Sequence, residues 1–236
     1  MATQPIYTFY LKLKNVQPEV WRLVQVPKNR TVAQLGYIIM TLFEMQASHL
    51  FEFKQVIGPG SLEKWQLGSD LVFYGLPIPE DDDLNDQLDA RTTKISAAFS
   101  SRCREAAFNY DFGDGWEIEV ILADINFNET LSARELPRVL AGVGYGIVED
   151  VGGPYGLMSF ANAFKAKRGE EYRRYRDLWG KEDFDINLFN LDEMNKRLKK
   201  APNIYRRVYE MYQEPTQTEM DFLAVSYTHL TLPTKA

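Results

Sequence analysis

The fold is decided by residues 7–43, which read YTFYLKLKNVQPEVWRLVQVPKNRTVAQLGYIIMTLF. Apolar residues at alternate positions from Tyr7 to Leu13 predict a strand with one apolar face. Pro18 lies in a short turn, and 20–26 then predict a second strand that ends before Pro27. This part of the sequence therefore opens with a β-hairpin.

A helix is predicted to follow the hairpin. Thr31 is a favourable N-cap residue, and Gln34 three positions later completes a capping box. Apolar residues from Val32 to Phe43 recur at helical spacing. A third strand is predicted at 50–57. Hairpin, helix and strand in this order predict an α+β fold, β-grasp-like, in which a mostly antiparallel sheet packs on a helix.

The rest of the chain predicts two further strands and a C-terminal helical section. The strands are predicted at 108–112 and 116–122. Segments 58–91 and 136–156 are predicted to be irregular, the first acidic around Asp81–Asp83 and the second rich in glycine. Helices are predicted at 159–168, at about 170–179 and at 191–200, the last capped by Asn190. We therefore expect a single domain over 1–224, helical from about 159.

The last twelve residues differ from the acidic segment before them. Residues 225–234 read VSYTHLTLPT, which matches letter for letter the translation of a transposase adapter used in shotgun sequencing libraries. We therefore interpret 225–236 as an adapter translation that is not native, and we exclude it, with His229, from the arguments on fold and function. His49 is then the single histidine of 1–224.

Composition limits the classes of protein that fit. The chain has 236 residues, of which 45% are hydrophobic and 25% charged, as is typical of a globular domain. With Cys103 as the single cysteine, neither an intrachain disulfide nor a cysteine-based zinc site can form. The start lacks the pattern of a signal peptide, and the apolar run at 35–43 is too short to span a bilayer. We therefore expect a cytoplasmic protein without a membrane anchor.

The stretch FNYDFGDGWEIEV, residues 108–120, predicts a hairpin. A three-residue loop, Gly113–Gly115, would pair Phe112 with Trp116 and Tyr110 with Ile118, giving one wholly apolar face. The other face would then place Asp111 opposite Glu117 and Asn109 opposite Glu119. Gly115 would adopt the left-handed conformation that such a loop needs.

Carboxylates so close together either form a solvated acidic face that water covers or need a positive charge nearby. One interpretation is a basic side chain, for which Arg22 on the second strand is our choice. The other is a divalent cation such as Mg²⁺ or Ca²⁺, bound by Asp111, Glu117 and Glu119. Glu149 and Asp150, in the glycine-rich segment, could fold toward Asp111 and add two more carboxylates.

His49 also has two interpretations. It is either a structural, hydrogen-bonded residue or a group that transfers protons, oriented by Glu52 or Asp111. The structural interpretation is favoured, because 1–224 offer no second histidine to complete a zinc site.

A basic stretch at 165–176 raises the question of nucleic-acid binding. Arg173, Arg174 and Arg176 are interleaved with Tyr172 and Tyr175 and could contact a nucleic-acid backbone with support from stacking. The favoured interpretation is an exposed helix face that pairs with nearby acidic residues.

Six short motifs occur in order along residues 6–200. They are PEVWR at 18–22, TVAQL at 31–35, SHLFEF at 48–53, YDFGDGW at 110–116, EDVGG at 149–153 and FNLDEMN at 189–195. Together they resemble the plasmid pRiA4b ORF-3-like family. The resemblance implies an α+β fold and no defined activity. Family members usually carry a histidine where this chain has Ile118, and cysteines with a Pro-Pro pair where it has 146–148.

The sequence favours a binding or interaction module, with a protein or small-molecule partner and no required cofactor. One alternative is a metal-dependent enzyme that uses the clustered carboxylates. The other is a nucleic-acid-associated protein linked to mobile elements. No catalytic residue is assigned.

Overall fold

The computed structural model describes residues 5–58, 70–77, 87–127 and 131–224. Eight strands in these ranges form one sheet: β1 Ile6–Leu13, β2 Trp21–Pro27, β3 Phe51–Ile57, β4 Asp70–Gly75, β5 Leu88–Asp89, β6 Glu105–Tyr110, β7 Trp116–Asn126 and β8 Arg138–Val143. The order across the sheet is β5-β4-β3-β6-β7-β1-β2-β8. Neighbouring strands are antiparallel except β4 and β5. The α+β class with a mostly antiparallel sheet is therefore confirmed.

The described ranges also contain seven α-helices: α1 Val32–Leu42, α2 Ile95–Ala98, α3 Gly153–Ala166, α4 Gly169–Trp179, α5 Leu191–Arg197, α6 Ala201–Met211 and α7 Gln217–Ala224. The C-terminal helical section is thus confirmed, but it begins at Gly153 and not near 159. None of the helices described combines the length and apolar character needed to cross a membrane.

Helix α1 lies between the sheet and α6. The predicted capping box is present, because Thr31 Oγ1 accepts from the Gln34 amide at 3.2 Å and Gln34 Oε1 accepts from the Thr31 amide at 3.1 Å. Every residue of α1 except Gln34 is buried. The Tyr37 ring packs edge-on against Phe51 of β3 and stacks on Tyr209 of α6. The apolar spacing of α1 therefore reflects burial on both sides.

A buried ion pair joins the end of α1 to α5. Glu44 follows α1, and its carboxylate accepts from the Arg197 guanidinium. Both side chains are 2% exposed. Arg197 also donates to the Leu223 carbonyl at 3.1 Å, so the same residue connects α5 to α7.

Two segments predicted to be irregular contain strands. Within 58–91, β4 pairs with β3, and within 136–156, β8 pairs with β2. Both strands complete the hydrogen bonding of a neighbour whose edge would otherwise be open. Asp81–Asp83 lie outside the described residues, as does the segment 225–236 interpreted as an adapter.

The predicted register of the 108–120 hairpin is wrong by two residues. Tyr110 pairs with Trp116 and Phe108 with Ile118. The loop comprises 111–115, in which Asp111 has a φ of 51° and its carbonyl accepts from the Gly115 amide at 2.7 Å. A shift of two keeps the apolar face, but Phe112 is now 58% exposed and Asp111 has left the strand. Gly115 does have a positive φ, 67°.

Candidate functional site

Three loops meet at the imidazole of His49, at one end of the β3–β6–β7 part of the sheet. His49 precedes β3, Asp111 follows β6, and Glu149 and Asp150 precede α3. His49 Nε2 lies 3.5 Å from Asp111 Oδ2, 3.7 Å from Glu149 Oε2 and 3.6 Å from Asp150 Oδ1. One ring nitrogen therefore faces three carboxylates that are distant from one another in sequence.

These distances suit an ion better than direct hydrogen bonds. A charge-assisted N–H···O bond is about 2.7–2.9 Å long, and all three separations exceed it by more than half an ångström. Ligand atoms held at about 2.1 Å from one metal ion lie about 3.0–3.4 Å apart, which is closer to the observed spacing. One ligand atom from each of His49, Asp111 and Asp150 also lies within 4.8 Å of the others.

The Glu149 carboxylate is held in place through one of its two oxygens. Its Oε1 accepts from the Gln46 amide and from Tyr110 Oη, both at 2.8 Å. Its Oε2 is buried, faces His49 and has no hydrogen-bond partner among the described residues. The side chain is 8% exposed, and burial raises the pKa of the Glu149 carboxyl. A buried carboxylate oxygen without a partner is costly, and a cation beside it would offset that cost.

Asp111 points toward His49 because its other oxygen has partners in the turn. Oδ1 accepts from the Gly113 amide at 3.1 Å and from the Asp114 amide at 3.3 Å. The Asp111 amide in turn donates to the Leu50 carbonyl at 3.1 Å. Oδ2 is thereby directed to His49. The left-handed conformation of Asp111 is one that aspartate adopts more readily than most residues.

The loop that carries Glu149 and Asp150 is fixed against the Asp111 turn. The Gly152 amide donates to Asp114 Oδ2 at 3.2 Å. Gly153 has a φ of 70°, and a Cβ at this position would lie 2.2 Å from the Asp114 carbonyl oxygen. Glycine at 153 is therefore required for the two loops to approach this closely.

Two tyrosines position His49. Tyr209 Oη, on α6, donates to the His49 carbonyl. The His49 ring packs edge-on against the Tyr110 ring, with centroids 5.7 Å apart and an interplanar angle of 88°. Burial raises the pKa of both tyrosines, so each hydroxyl keeps its proton and acts as a donor. Neither tyrosine was predicted from the sequence to contribute to this site.

The structure brings together four of the seven residues proposed for a ligand or ion site. Glu117 and Glu119 alternate along β7 with buried Trp116, Ile118 and Val120, so they lie on the opposite face of the sheet. Glu119 pairs across the sheet with Lys12 of β1. Neither glutamate adjoins His49.

The expected pairing of Arg22 with Asp111 is wrong. Arg22 is fully buried, and its guanidinium donates to five backbone carbonyls, those of Trp21, Leu42, Val143, Gly144 and Tyr145. These bonds use all five N–H groups of an arginine. The group also lies over the rings of Phe43 and Phe189. Arg22 therefore supports the segment after β8, and its N–H groups are directed to the backbone and not to Asp111.

The basic stretch at 165–176 runs from the end of α3 into α4, and α4 carries its arginines at 173, 174 and 176. Arg173 and Arg174 are exposed, and Arg176 pairs with Asp177. Tyr175 is buried against Phe160, so it cannot stack on a nucleic-acid base. Tyr172 packs on Phe164 and donates to Glu182. The aromatic support expected for nucleic-acid binding is therefore not offered by these two rings.

Comparison with known proteins places this fold and its motifs in a family. A family model described as plasmid pRiA4b ORF-3-like protein matches residues 5–193. The chain belongs to this family. The matched range of the pRiA4b ORF-3-like chain includes His49, Asp111, Glu149 and Asp150.

Two relatives are similar over most of their length. The pRiA4b ORF-3-like chain is 28% identical over 187 residues to "Uncharacterized protein y4hQ" of Sinorhizobium fredii, covering 78% of this chain and 86% of the relative. It also resembles the crystal structure of a protein of unknown function, MM3350, from Methanosarcina mazei Go1. That match has a TM-score of 0.68 and 27% identity and covers 81% of this chain and 98% of the other. The matches support no specific activity.

Proposed function

We propose that this protein is a binding module that holds one divalent transition-metal ion among His49, Asp111, Glu149 and Asp150. The observation that carries the proposal is a pair of buried atoms, His49 Nε2 and Glu149 Oε2, which face each other at 3.7 Å and have no hydrogen-bond partner in the part of the chain described. One metal ion bound between them would provide a partner for both atoms.

Charge and ligand type favour a transition metal. Three carboxylates surround one imidazole, so the cluster as a whole attracts a cation. An imidazole ligand suits zinc, iron, nickel and copper, whereas Ca²⁺ and Mg²⁺ prefer sites made of oxygen alone. Zn²⁺ and Mn²⁺ are the ions to test first, since mixed nitrogen and oxygen ligands accommodate both.

The competing explanation is a protonated His49 that pairs with the carboxylates without any metal. Such a pair should shorten at least one N···O distance to hydrogen-bond length, and none of the three is that short. The two explanations differ in their response to added metal, which makes thermal melting a suitable assay.

The test compares the chelator-treated wild type with two variants that each remove one carboxylate charge. Asp111→Asn removes a proposed ligand, and Glu117→Gln is the matched control on the opposite face of the sheet. At a metal concentration 100 times Kd, binding stabilises the folded state by about 2.7 kcal/mol. For a chain of this size we therefore expect a rise in Tm of about 5–10 °C.

We expect the rise with Zn²⁺ or Mn²⁺ in wild type and in Glu117→Gln, a much smaller rise with Ca²⁺ or Mg²⁺, and none in Asp111→Asn. An unchanged Tm with all four metals would refute the proposal. So would a rise that Asp111→Asn retains, because the ion would then bind elsewhere.

A metal-dependent hydrolytic activity is the second candidate. The Asp150 side chain is 73% exposed and that of His49 29%, so a bound ion would face solvent on this side and could carry a water molecule. Zinc lowers the pKa of such a water to about 7. Metal-dependent hydrolysis of p-nitrophenyl acetate or bis(p-nitrophenyl) phosphate that Asp111→Asn loses would favour this candidate. Saturable metal binding without hydrolysis of either would favour the binding module.

A further inference from the structure

A second site lies in a cavity between α1, the start of α6 and the segment that leads into β8. The cavity has a volume of about 160 Å³. Its lining includes three cationic residues, Arg30, Lys199 and Arg206, and three apolar ones, Ile38, Leu136 and Pro137. The lining contains none of His49, Asp111, Glu149 and Asp150, so this cavity is distinct from the proposed metal site.

The charged residues of the lining carry one sign only. Arg30, Lys199 and Arg206 are cationic, and no aspartate or glutamate is among the lining residues. Lys199 Nζ donates to the carbonyls of Arg134 and Pro137, and these neutral acceptors do not cancel its charge. Three positive charges around one small cavity repel one another, and an anion would remove that repulsion.

Two of the three cations also present unused donors. The Nε atoms of Arg30 and Arg206 are both buried and have no hydrogen-bond partner among the residues that the structure describes. A buried donor left without a partner is unfavourable. A ligand with anionic oxygens would satisfy the guanidinium groups and neutralise their charge in the same contact.

The apolar residues of the lining define the rest of the ligand. Ile38, Leu136 and Pro137 cannot bind a fully hydrated ion favourably, but they can cover a hydrocarbon group. A cavity of about 150 Å³ is large enough for a molecule the size of benzene. We propose that this cavity binds a small organic anion, a carboxylate or a phosphate ester, with its anionic oxygens on Arg30 and Arg206 and an apolar part of about one ring against Ile38 and Leu136.

The probes are sodium benzoate and inorganic phosphate, each titrated calorimetrically into the full chain, with sodium chloride at the same ionic strength as the reference. We expect saturable binding at one site per chain, and a Tm that rises with the probe beyond the chloride effect. Benzoate bound more tightly than phosphate indicates a carboxylate ligand with a ring. The opposite order indicates a phosphate ester. Failure of both probes to bind beyond chloride overturns the proposal.

Substitutions in the lining test whether the probes bind in this cavity. Arg30→Gln and Arg206→Gln should each weaken probe binding by about tenfold or more, because each removes a charged donor. Arg173→Gln, which removes one exposed charge on α4, is the matched control and should bind as wild type does. Without a probe, the Tm of Arg206→Gln should equal or exceed that of wild type, because one repelling charge is gone. Binding that survives in both cavity variants refutes the assignment.

The metal proposal and this one can fail separately. Asp111→Asn lies outside the cavity and should bind benzoate or phosphate as wild type does. Equally, Arg206→Gln should keep the metal-induced rise in Tm. Loss of probe binding in Asp111→Asn would contradict the cavity assignment.

Discussion

Replacement of Gly153 by alanine tests how the candidate metal site is built. The site requires the loop of Glu149 and Asp150 to lie against the turn that carries Asp111. At position 153 a Cβ would lie 2.2 Å from the Asp114 carbonyl oxygen, so the backbone itself must move. Gly152 is the matched control, since it also has a positive φ, 89°, but a Cβ there would meet nothing within 4 Å.

The two substitutions share one cost and differ in another. Alanine in the left-handed region costs about 1–2 kcal/mol at either position. The clash at 153 adds the cost of overpacking, about 1–3 kcal/mol. We therefore expect Gly153→Ala to lower the free energy of unfolding by about 2–5 kcal/mol and Gly152→Ala by about 1–2 kcal/mol. Gly153→Ala should also weaken metal binding, because Asp150 moves away from His49.

The assay is urea unfolding of both variants without metal, followed by titration with Zn²⁺ or Mn²⁺. Equal losses of stability in the two variants would refute the close approach of the two loops at Gly153. A Gly153→Ala variant that binds metal as tightly as wild type would show that this contact does not position Asp150.

Two further predictions concern the core and the hairpin register. Arg197→Met should lower the free energy of unfolding by about 3–5 kcal/mol, because it leaves the Glu44 carboxylate buried without its partner. Adding Glu44→Gln should recover part of that loss. If the losses of stability of the two single variants simply add in the double variant, the result would argue against the ion pair. Phe112→Ser should change the free energy of unfolding by less than about 0.5 kcal/mol, because the ring is largely exposed. A loss of several kcal/mol would instead favour the register in which Phe112 pairs with Trp116.

Local patterns were sufficient to predict the first part of the fold. The alternation of β1 and the capping box of α1 depend on residues close in sequence, and both were confirmed. β4 and β8 were missed because each strand forms at the edge of another one, which composition does not reveal. The error on Arg22 follows from this, since three of its five acceptors, the carbonyls of Val143, Gly144 and Tyr145, lie at the end of β8 or directly after it.

The hairpin register shows a limit of arguments from side-chain alternation. Registers that differ by two residues place the same side chains on the same face, so an apolar face cannot distinguish them. The left-handed conformation of Asp111 decided between them by closing a five-residue turn. In the observed register Asp111 lies outside the strand, away from Glu117 and close to His49.

The candidate site was predicted in its parts and not as a whole. His49, Asp111, Glu149 and Asp150 were each singled out by residue type. Their convergence depends on three loops whose relative positions the sequence does not give. A usable signal was nevertheless present in EDVGG at 149–153, where two glycines follow two carboxylates after one valine, and the second of them, Gly153, permits the close backbone approach.

The most direct test of the metal site is an anomalous difference map from a crystal soaked with Zn²⁺ or Mn²⁺, recorded on both sides of the absorption edge of the metal. We expect one strong peak about 2.0–2.2 Å from His49 Nε2, with oxygens of Asp111, Glu149 and Asp150 around it. A map without a peak at this position, in which His49 Nε2 instead donates a hydrogen bond to one of the carboxylates, would contradict the proposal.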